Sequence, residues 1–229
     1  MAVLAGIGVA QQPPPPPAPA PAPASAPAIV SYAVASERRD PRQFSVQVDL
    51  VGHATYEAAE STGEGEPAEP FRVEFDVSPS TRDRIFALTQ GVDYFQGDFE
   101  FRKHAVADTG RKTLRYQDGA RTSETTFNWS ENKQIQQLTD IFESIALTQG
   151  LARKLAHLRR YDKLGLDAVL KRMEELRKAN YLGELQAIAP LLRQIANDPG
   201  VMKLARDRAR RLLDQVDAAA LPPASASPK

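Results

Sequence analysis

Cysteine is absent from all 229 residues. That lack excludes disulfides, cysteine-ligated zinc, iron–sulfur clusters and any thiol nucleophile, and it leaves no cysteine to carry a lipid anchor behind a leader. Histidine is scarce: only His53, His104 and His157 are present. None pairs with another ligand at a metal spacing such as i, i+4. We therefore expect no metal site and no cofactor. Apart from a short apolar N-terminus, no stretch nears the roughly 20 apolar residues that span a bilayer, so no integral membrane segment is expected in the mature chain. Net charge is missing as well, since 29 Lys+Arg balance 29 Asp+Glu. The balance is global and not local. Residues 31–150 hold 13 Lys+Arg against 20 Asp+Glu, a net of −7, and residues 151–229 hold 16 against 9, a net of +7. Two regions of opposite sign suggest two units, docked on each other or on separate partners.

What is present begins with "MAVLAGIGVAQQ". Ala2 to Ala10 is uncharged and mostly apolar, and Gly8 and Ala10 are small residues two apart, as a signal-peptidase site prefers. The basic segment that should precede them is missing, so residues 1–10 read as the end of a signal peptide whose start lies upstream; the plainer reading is an apolar N-terminus with no targeting role. Residues 11–28, "QQPPPPPAPAPAPASAPA", contain half of the 18 prolines. Proline fixes φ and lacks an N–H, so this segment favours extended polyproline II and could reach roughly 55 Å. A disordered Pro/Ala-rich linker over 11–30 is expected, and with it export to the periplasm or cell envelope.

Beyond Ile29 the pattern takes period two. "QFSVQVDL" puts Phe44, Val46, Val48 and Leu50 on one face, "FRVEFDV" does the same with Phe71, Val73, Phe75 and Val77, and "HATYEA" continues a meander. Between them lie five glutamates, Glu57 to Glu69. They lack the alternating Asp/Asn ligands of a calcium loop and read as a solvated acidic loop. "SPSTRDRIFALTQ" then reads as a helix capped by Ser78, opened by Pro79 and buried through Ile85, Phe86 and Leu88.

The stretch "RKHAVADTGRKTLRYQDGARTSE" holds His104, Asp108 and Ser123, in the chain order of one class of serine protease. Its patterning points elsewhere. Asp118-Gly119 is a two-residue turn signal, so Arg111–Gln117 and Ala120–Trp129 form a hairpin. Ser123 then sits among charged neighbours, with no glycine-rich loop to supply an oxyanion hole. We expect these three to be ordinary polar residues of a hairpin and its approach, and assign no catalytic residue.

Ser130 caps a helix over 131–147 whose Ile135, Leu138, Ile141, Phe142 and Ile145 recur at helical spacing. "ALTQG" occurs at 87–91 and 146–150, which reads as two helix ends closed by glycine. A second helix carries Leu151, Leu155 and Leu158, and a third Leu166, Leu170, Met173 and Leu176. A fourth carries Leu185, Ile188, Leu192 and Ile195 and is kinked or split by Pro190. A last one starts at Asp198-Pro199 and buries Val201, Ala205, Leu212 and Val216. The links are short, which implies antiparallel neighbours. Arg153, Lys154, Arg159, Arg160, Arg206, Arg208, Arg210 and Arg211 make this region basic, but Asp162, Asp207 and Asp214 interleave, so no nucleic-acid partner is expected.

The segments "FSVQVDLVGHATYE", "VSPSTRDRIFAL", "YFQGDFE", "TGRKTLRYQDG" and "FNWSENKQIQQLTDIFESI" together resemble an uncharacterised bacterial domain of unknown function that occurs in exported proteins, over about residues 43–146. The resemblance implies export and an α+β fold. It brings no catalytic residue with it.

The fold expected is α+β: an antiparallel sheet with two packed helices over 31–148, then an antiparallel four-helix array over 149–217, with a disordered tail over 218–229. So short a junction at 148/149 should hold the units together, with Leu151, Leu155 and Leu158 supplying the apolar adhesion. The function expected is a non-catalytic exported module, binding or scaffolding a protein partner. Two alternatives stand beside it. A carboxylate-dependent hydrolase would need a pocket of convergent carboxylates or a histidine of shifted pKa. An inhibitor or adaptor presenting the 111–129 hairpin would need an exposed aromatic patch near Trp129.

Overall fold

The computed structural model describes residues 27–59, 70–119 and 121–220. The expected signal segment 1–10, nearly all of the expected linker, the acidic residues from Glu60 to Glu69 and the tail from residue 221 lie outside the described residues. The chain runs β1 (Ile29–Ala35), β2 (Gln43–Asp49), β3 (His53–Ala59), β4 (Pro70–Asp76), α1 (Pro79–Gly91), β5 (Arg111–Asp118), β6 (Arg121–Phe127), α2 (Lys133–Tyr161), α3 (Leu166–Lys178), α4 (Ala189–Asn197) and α5 (Lys203–Ala220). The fold is α+β, with one six-stranded antiparallel sheet in the order β4-β3-β2-β1-β5-β6.

The sheet is organised around a strand that the sequence reading assigned in part to the linker. β1 is "IVSYAVA", and it alternates strictly, with Val30, Tyr32 and Val34 buried. It pairs with β2 on one side and β5 on the other, so Tyr32 faces Val46 and Leu114 across the two ladders. The Pro/Ala run before it hid a strand short enough to look like the linker's end. One face of the sheet buries Val30, Tyr32, Val34, Phe44, Val46, Val48, Tyr56 and Leu114 against Ile85 of α1 and Ile135, Leu138, Phe142 and Ile145 of α2. The other face carries small or polar residues such as Ser31, Ala33, Ser45, Thr55 and Thr113, as an antiparallel sheet with one wet face should. Leu50 was expected on the apolar face. It lies in the β2–β3 turn instead and is exposed, because Asp49 Oδ1 accepts from the N–H groups of Val51, Gly52 and His53 and closes the strand.

α2 departs most from expectation. It is a single helix of 29 residues, about 43 Å long. Gly150 does not end it. A glycine inside a helix costs about 1 kcal/mol relative to alanine, which apolar packing on both sides offsets. Its cap is Asn132, whose Oδ1 accepts from Gln134 and Ile135 N–H at 2.9 and 3.2 Å; Ser130 supports that cap by accepting from the Asn132 N–H. The buried side chains fall into two clusters along this one helix. The first ends at Ala146, and the second begins at Ala152 and takes in α3, α4 and α5.

Leu155 is buried in the second cluster, with Leu151 and Leu158 packed against it. They pack within the helical region, and Leu151 also lines a groove shared with Phe44 and Tyr56 of the sheet. Besides α2, the tie between regions is Glu184. This buried residue, at φ 51°, reaches the start of α1, where its carboxylate accepts from Ser78 N–H at 2.5 Å, Ser78 Oγ at 3.0 Å and Thr81 Oγ1 at 2.5 Å. A carboxylate at a helix N-terminus answers both the orphan donors and the helix dipole. Next to it, Gly183 N–H donates to Ser144 O at 3.2 Å.

Pro190 does split its helix, standing in the first turn of α4 after a 3₁₀ turn at Leu185–Ile188. α5 begins at Lys203 and not at Asp198-Pro199, because Asp198 turns the chain by accepting from Gly200 N–H. It runs to Ala220, three residues into the expected tail.

Candidate functional site

The three residues in protease order go to three separate tasks. His104 is exposed and packs edge-on against Phe101, ring centroids 4.7 Å apart. Asp108 Oδ1 accepts from Gly110 N–H at 2.9 Å and shapes the entry to β5. Ser123 Oγ donates to the carbonyl of Tyr94 and ties β6 to the turn at Asp93–Phe95. A relay needs its base within hydrogen-bond reach of the nucleophile and the acid behind it, and none of these contacts provides that. The other histidines are elsewhere. His53 Nδ1 lies 2.5 Å from Asp76 Oδ1 at the exposed end of β3, where that hydrogen bond raises its pKa. His157 packs against Tyr161 on α2. Among the described residues no group of three His, Asp or Glu side chains could hold a metal ion.

The polar groups that do converge lie under the middle of α2. Tyr32 is fully buried at the centre of the sheet, its ring stacked on Phe142 at 5.5 Å, and its hydroxyl donates to Glu143 Oε1 at 2.9 Å. The β1–β2 connection, closed by Ser36 N–H on Arg42 O, carries Arg39 to the same carboxylate. Arg39 Nη1 donates to Oε1 and Oε2 at 2.8 and 2.9 Å. Glu143 therefore accepts three charge-assisted or phenolic hydrogen bonds at once. Burial, then the Glu143 charge, pushes the Tyr32 hydroxyl far above the ordinary tyrosine value, so it stays a protonated donor.

Two further titratable groups sit nearby. Lys112 points inward, in phase with Leu114 and Tyr116, and is buried. Its Nζ donates to Asn128 O and Thr109 Oγ1, both at 2.7 Å. Burial, then the charge of Arg39, lowers its pKa. Asp140, one turn before Glu143 on α2, has a raised pKa from burial and then from the Glu143 charge. These groups do not form one catalytic pocket. Asp140 and Lys112 line a cavity of ≈ 260 Å³ beside Trp129, whereas Glu143 lines a separate groove of ≈ 730 Å³.

That groove runs between the β1–β2 connection and α2. Its floor is apolar, from Phe44, Tyr56, Ala146, Leu147 and Leu151, and its rim carries Arg39, Lys154 and His157 with the Arg39–Glu143 pair at one end. The volume falls within the range of small-ligand sites, and Asp40 and Arg153 also line the groove, so its rim carries charges of both signs. Sequence reasoning named Phe44, Leu151, Lys154 and His157 without bringing them together, and it passed over Tyr32, Arg39 and Glu143. Tyr32 was inside an unassigned strand, and Arg39 lay in a loop. Two signals were readable: Lys112 in phase with Leu114 and Tyr116, and Glu143 adjoining Phe142 on the apolar stretch Ile141–Leu147 of α2.

No protein-family model matches the chain, and no curated protein matches it in sequence.

Proposed function

We propose that the protein is a non-catalytic exported module of the periplasm or envelope, and that its groove binds a small anionic ligand with an apolar body. The carrying observation is the division of labour within the groove. Glu143 and Tyr32 are consumed by one another and by Arg39, which leaves neither as a base or nucleophile. The cationic Lys154 and the imidazole of His157 stand exposed over an apolar floor. Such a site holds an amphiphile by charge at one end and burial along the rest. Export is supported by the apolar start and the Pro/Ala run in the sequence. The hydrolase reading needs carboxylates that converge, and Asp140 and Glu143 open onto different cavities.

Titration calorimetry with decanoate tests the reading. Saturable binding is expected, weakened about tenfold in Lys154→Glu, a change of about 1.4 kcal/mol. An absence of saturable binding, or equal uptake of a decyl ammonium cation, refutes it. The adaptor reading keeps one supporting observation: Trp129 is 39% exposed and packs edge-on with Phe101 at 4.7 Å, next to His104, an aromatic patch beside the hairpin.

A further inference from the structure

Four of the eight large apolar side chains exposed among the described residues gather at one end of the helical region: Tyr161 at 67%, Leu164 at 73%, Met202 at 43% and Leu204 at 48%. They come from two corners distant in sequence: Tyr161 ends α2 with Leu164 just beyond it, and Met202 precedes α5, whose second residue is Leu204. Lys163 joins the two, its Nζ donating to Asp198 Oδ2 at 2.8 Å, and the backbone at Gly200 comes close enough that an added Cβ would lie 2.9 Å from that Nζ. Their exposure is fixed by local geometry. Asp162 Oδ1 accepts from Leu164 and Gly165 N–H, which sets the corner so that Leu166 turns inward and Leu164 outward. Leu204 is out of phase with the buried Val201, Ala205 and Leu212.

The charges around this end are one-sided in what they offer outward. Each of its four aspartates is engaged within the fold: Asp162 by the N–H groups just named, Asp167 by Arg208, Asp198 by Lys163 and Gly200 N–H, and Asp207 by Arg210. Arg160 and Lys203 are exposed, and Arg160 lies over the Tyr161 ring at 5.3 Å. The surrounding region carries the net +7 of residues 151–229, 16 Lys+Arg less 9 Asp+Glu.

We propose that this end of the helical region is a peripheral membrane-contact surface for anionic phospholipid. An apolar tip of Tyr, Leu and Met ringed by Arg and Lys matches an interface where rings and long basic side chains sit among headgroups. Four side chains exposed by 43–73% make a small tip, whereas a stable protein–protein interface takes roughly 800 Å² from each partner, polar rim included. Shallow insertion needs no such area. Among the described residues no helix is long and apolar enough to cross a membrane, so the contact is one of lying on the surface.

Co-sedimentation of the full chain with phosphatidylcholine vesicles, with and without phosphatidylglycerol, tests this. Binding is expected only with phosphatidylglycerol and should fall with added salt. The double variant Leu164→Ser, Leu204→Ser should bind at least about tenfold more weakly. The double variant Arg160→Gln, Lys203→Gln should bind about 30-fold more weakly, from two lost surface charges. Both should keep the parent's circular dichroism and melting temperature, since all four side chains are exposed. Unchanged binding in both folded variants, or no binding by the parent, overturns the proposal. A parent that self-associates in lipid-free sedimentation equilibrium while the leucine variant does not would also overturn it, by assigning the tip to a second copy of the chain.

Discussion

Tyr32, Glu143 and Lys112 place polar atoms inside or at the edge of the sheet region's interior, whereas the cluster from Ala152 to Leu213 is built of apolar side chains. The helical region buries Glu184, which reaches across to α1, and keeps its main ion-pair network at the margin. There Arg208 bridges Asp167 and Glu174, and Arg211 adds a second bond to Glu174. The Glu174 carboxyl, which burial alone would raise, is pulled below its ordinary value by those two guanidinium groups. The contrast separates two ways of using a core. An apolar interior tolerates repacking and mainly gives stability. A hydrogen-bonded polar interior depends on every partner, because a missing one leaves a desolvated group behind. The candidate ligand groove has the Arg39–Glu143 pair of the second kind at one end, and the proposed membrane contact lies on the surface of the helical region.

The comparison is sharpest where α2 serves both cores. Phe142→Ala, which empties the place beneath Tyr32, should cost about 3–5 kcal/mol, and Leu170→Ala in the helical core about 2–5 kcal/mol. Urea unfolding followed by Trp129 fluorescence and by far-ultraviolet circular dichroism should give one coincident transition for each variant, since the helix that crosses the junction cannot be half formed at low cost. Two separated transitions would show that the regions are independent.

A smaller loss is expected from Glu184→Ala. It keeps the cap residue Ser78, whose Oγ still accepts from Thr81 N–H, but takes the acceptor from Ser78 N–H and the Thr81 hydroxyl, a cost of about 1–3 kcal/mol. Amide exchange should quicken in the first turn of α1 while the helical core stays protected. Uniform change across both regions would deny Glu184 its role as a local clamp.

The smallest effect is a gain. Gly150→Ala should stabilise the protein by up to about 1 kcal/mol, because an added Cβ meets nothing nearer than the Tyr56 hydroxyl at 3.8 Å. Thermal unfolding measures it. A loss would mean that α2 needs a hinge there.

Alternation of apolar residues sufficed to place β2, β3, β4 and the β5–β6 hairpin, because period two states which side chains face inward without reference to anything distant. Asp118-Gly119 marked its turn to within one residue, since Asp118 still pairs with Arg121 at the end of β5 and the loop begins at Gly119. The proline run obscured β1, and the repeat of "ALTQG" suggested a helix end at Gly150 that packing on both sides removed. The two copies end differently because Val92 follows the first with a turn and Leu151 continues the second into a new apolar face.

The candidate groove was less legible. Arg39, Tyr32 and Glu143 are separated by up to 111 residues, and nothing in local pattern brings them to one point. By itself the sequence determined the fold class, the apolar faces and the charge asymmetry, all of which follow from composition and short-range periodicity. Only the tertiary structure decided which polar groups are buried together, that Glu184 braces the Ser78 cap of a helix 106 residues away, and that four exposed apolar residues flank two corners joined by Lys163 and Asp198. Those facts depend on the desolvation and geometry of side chains that meet only when the chain is folded.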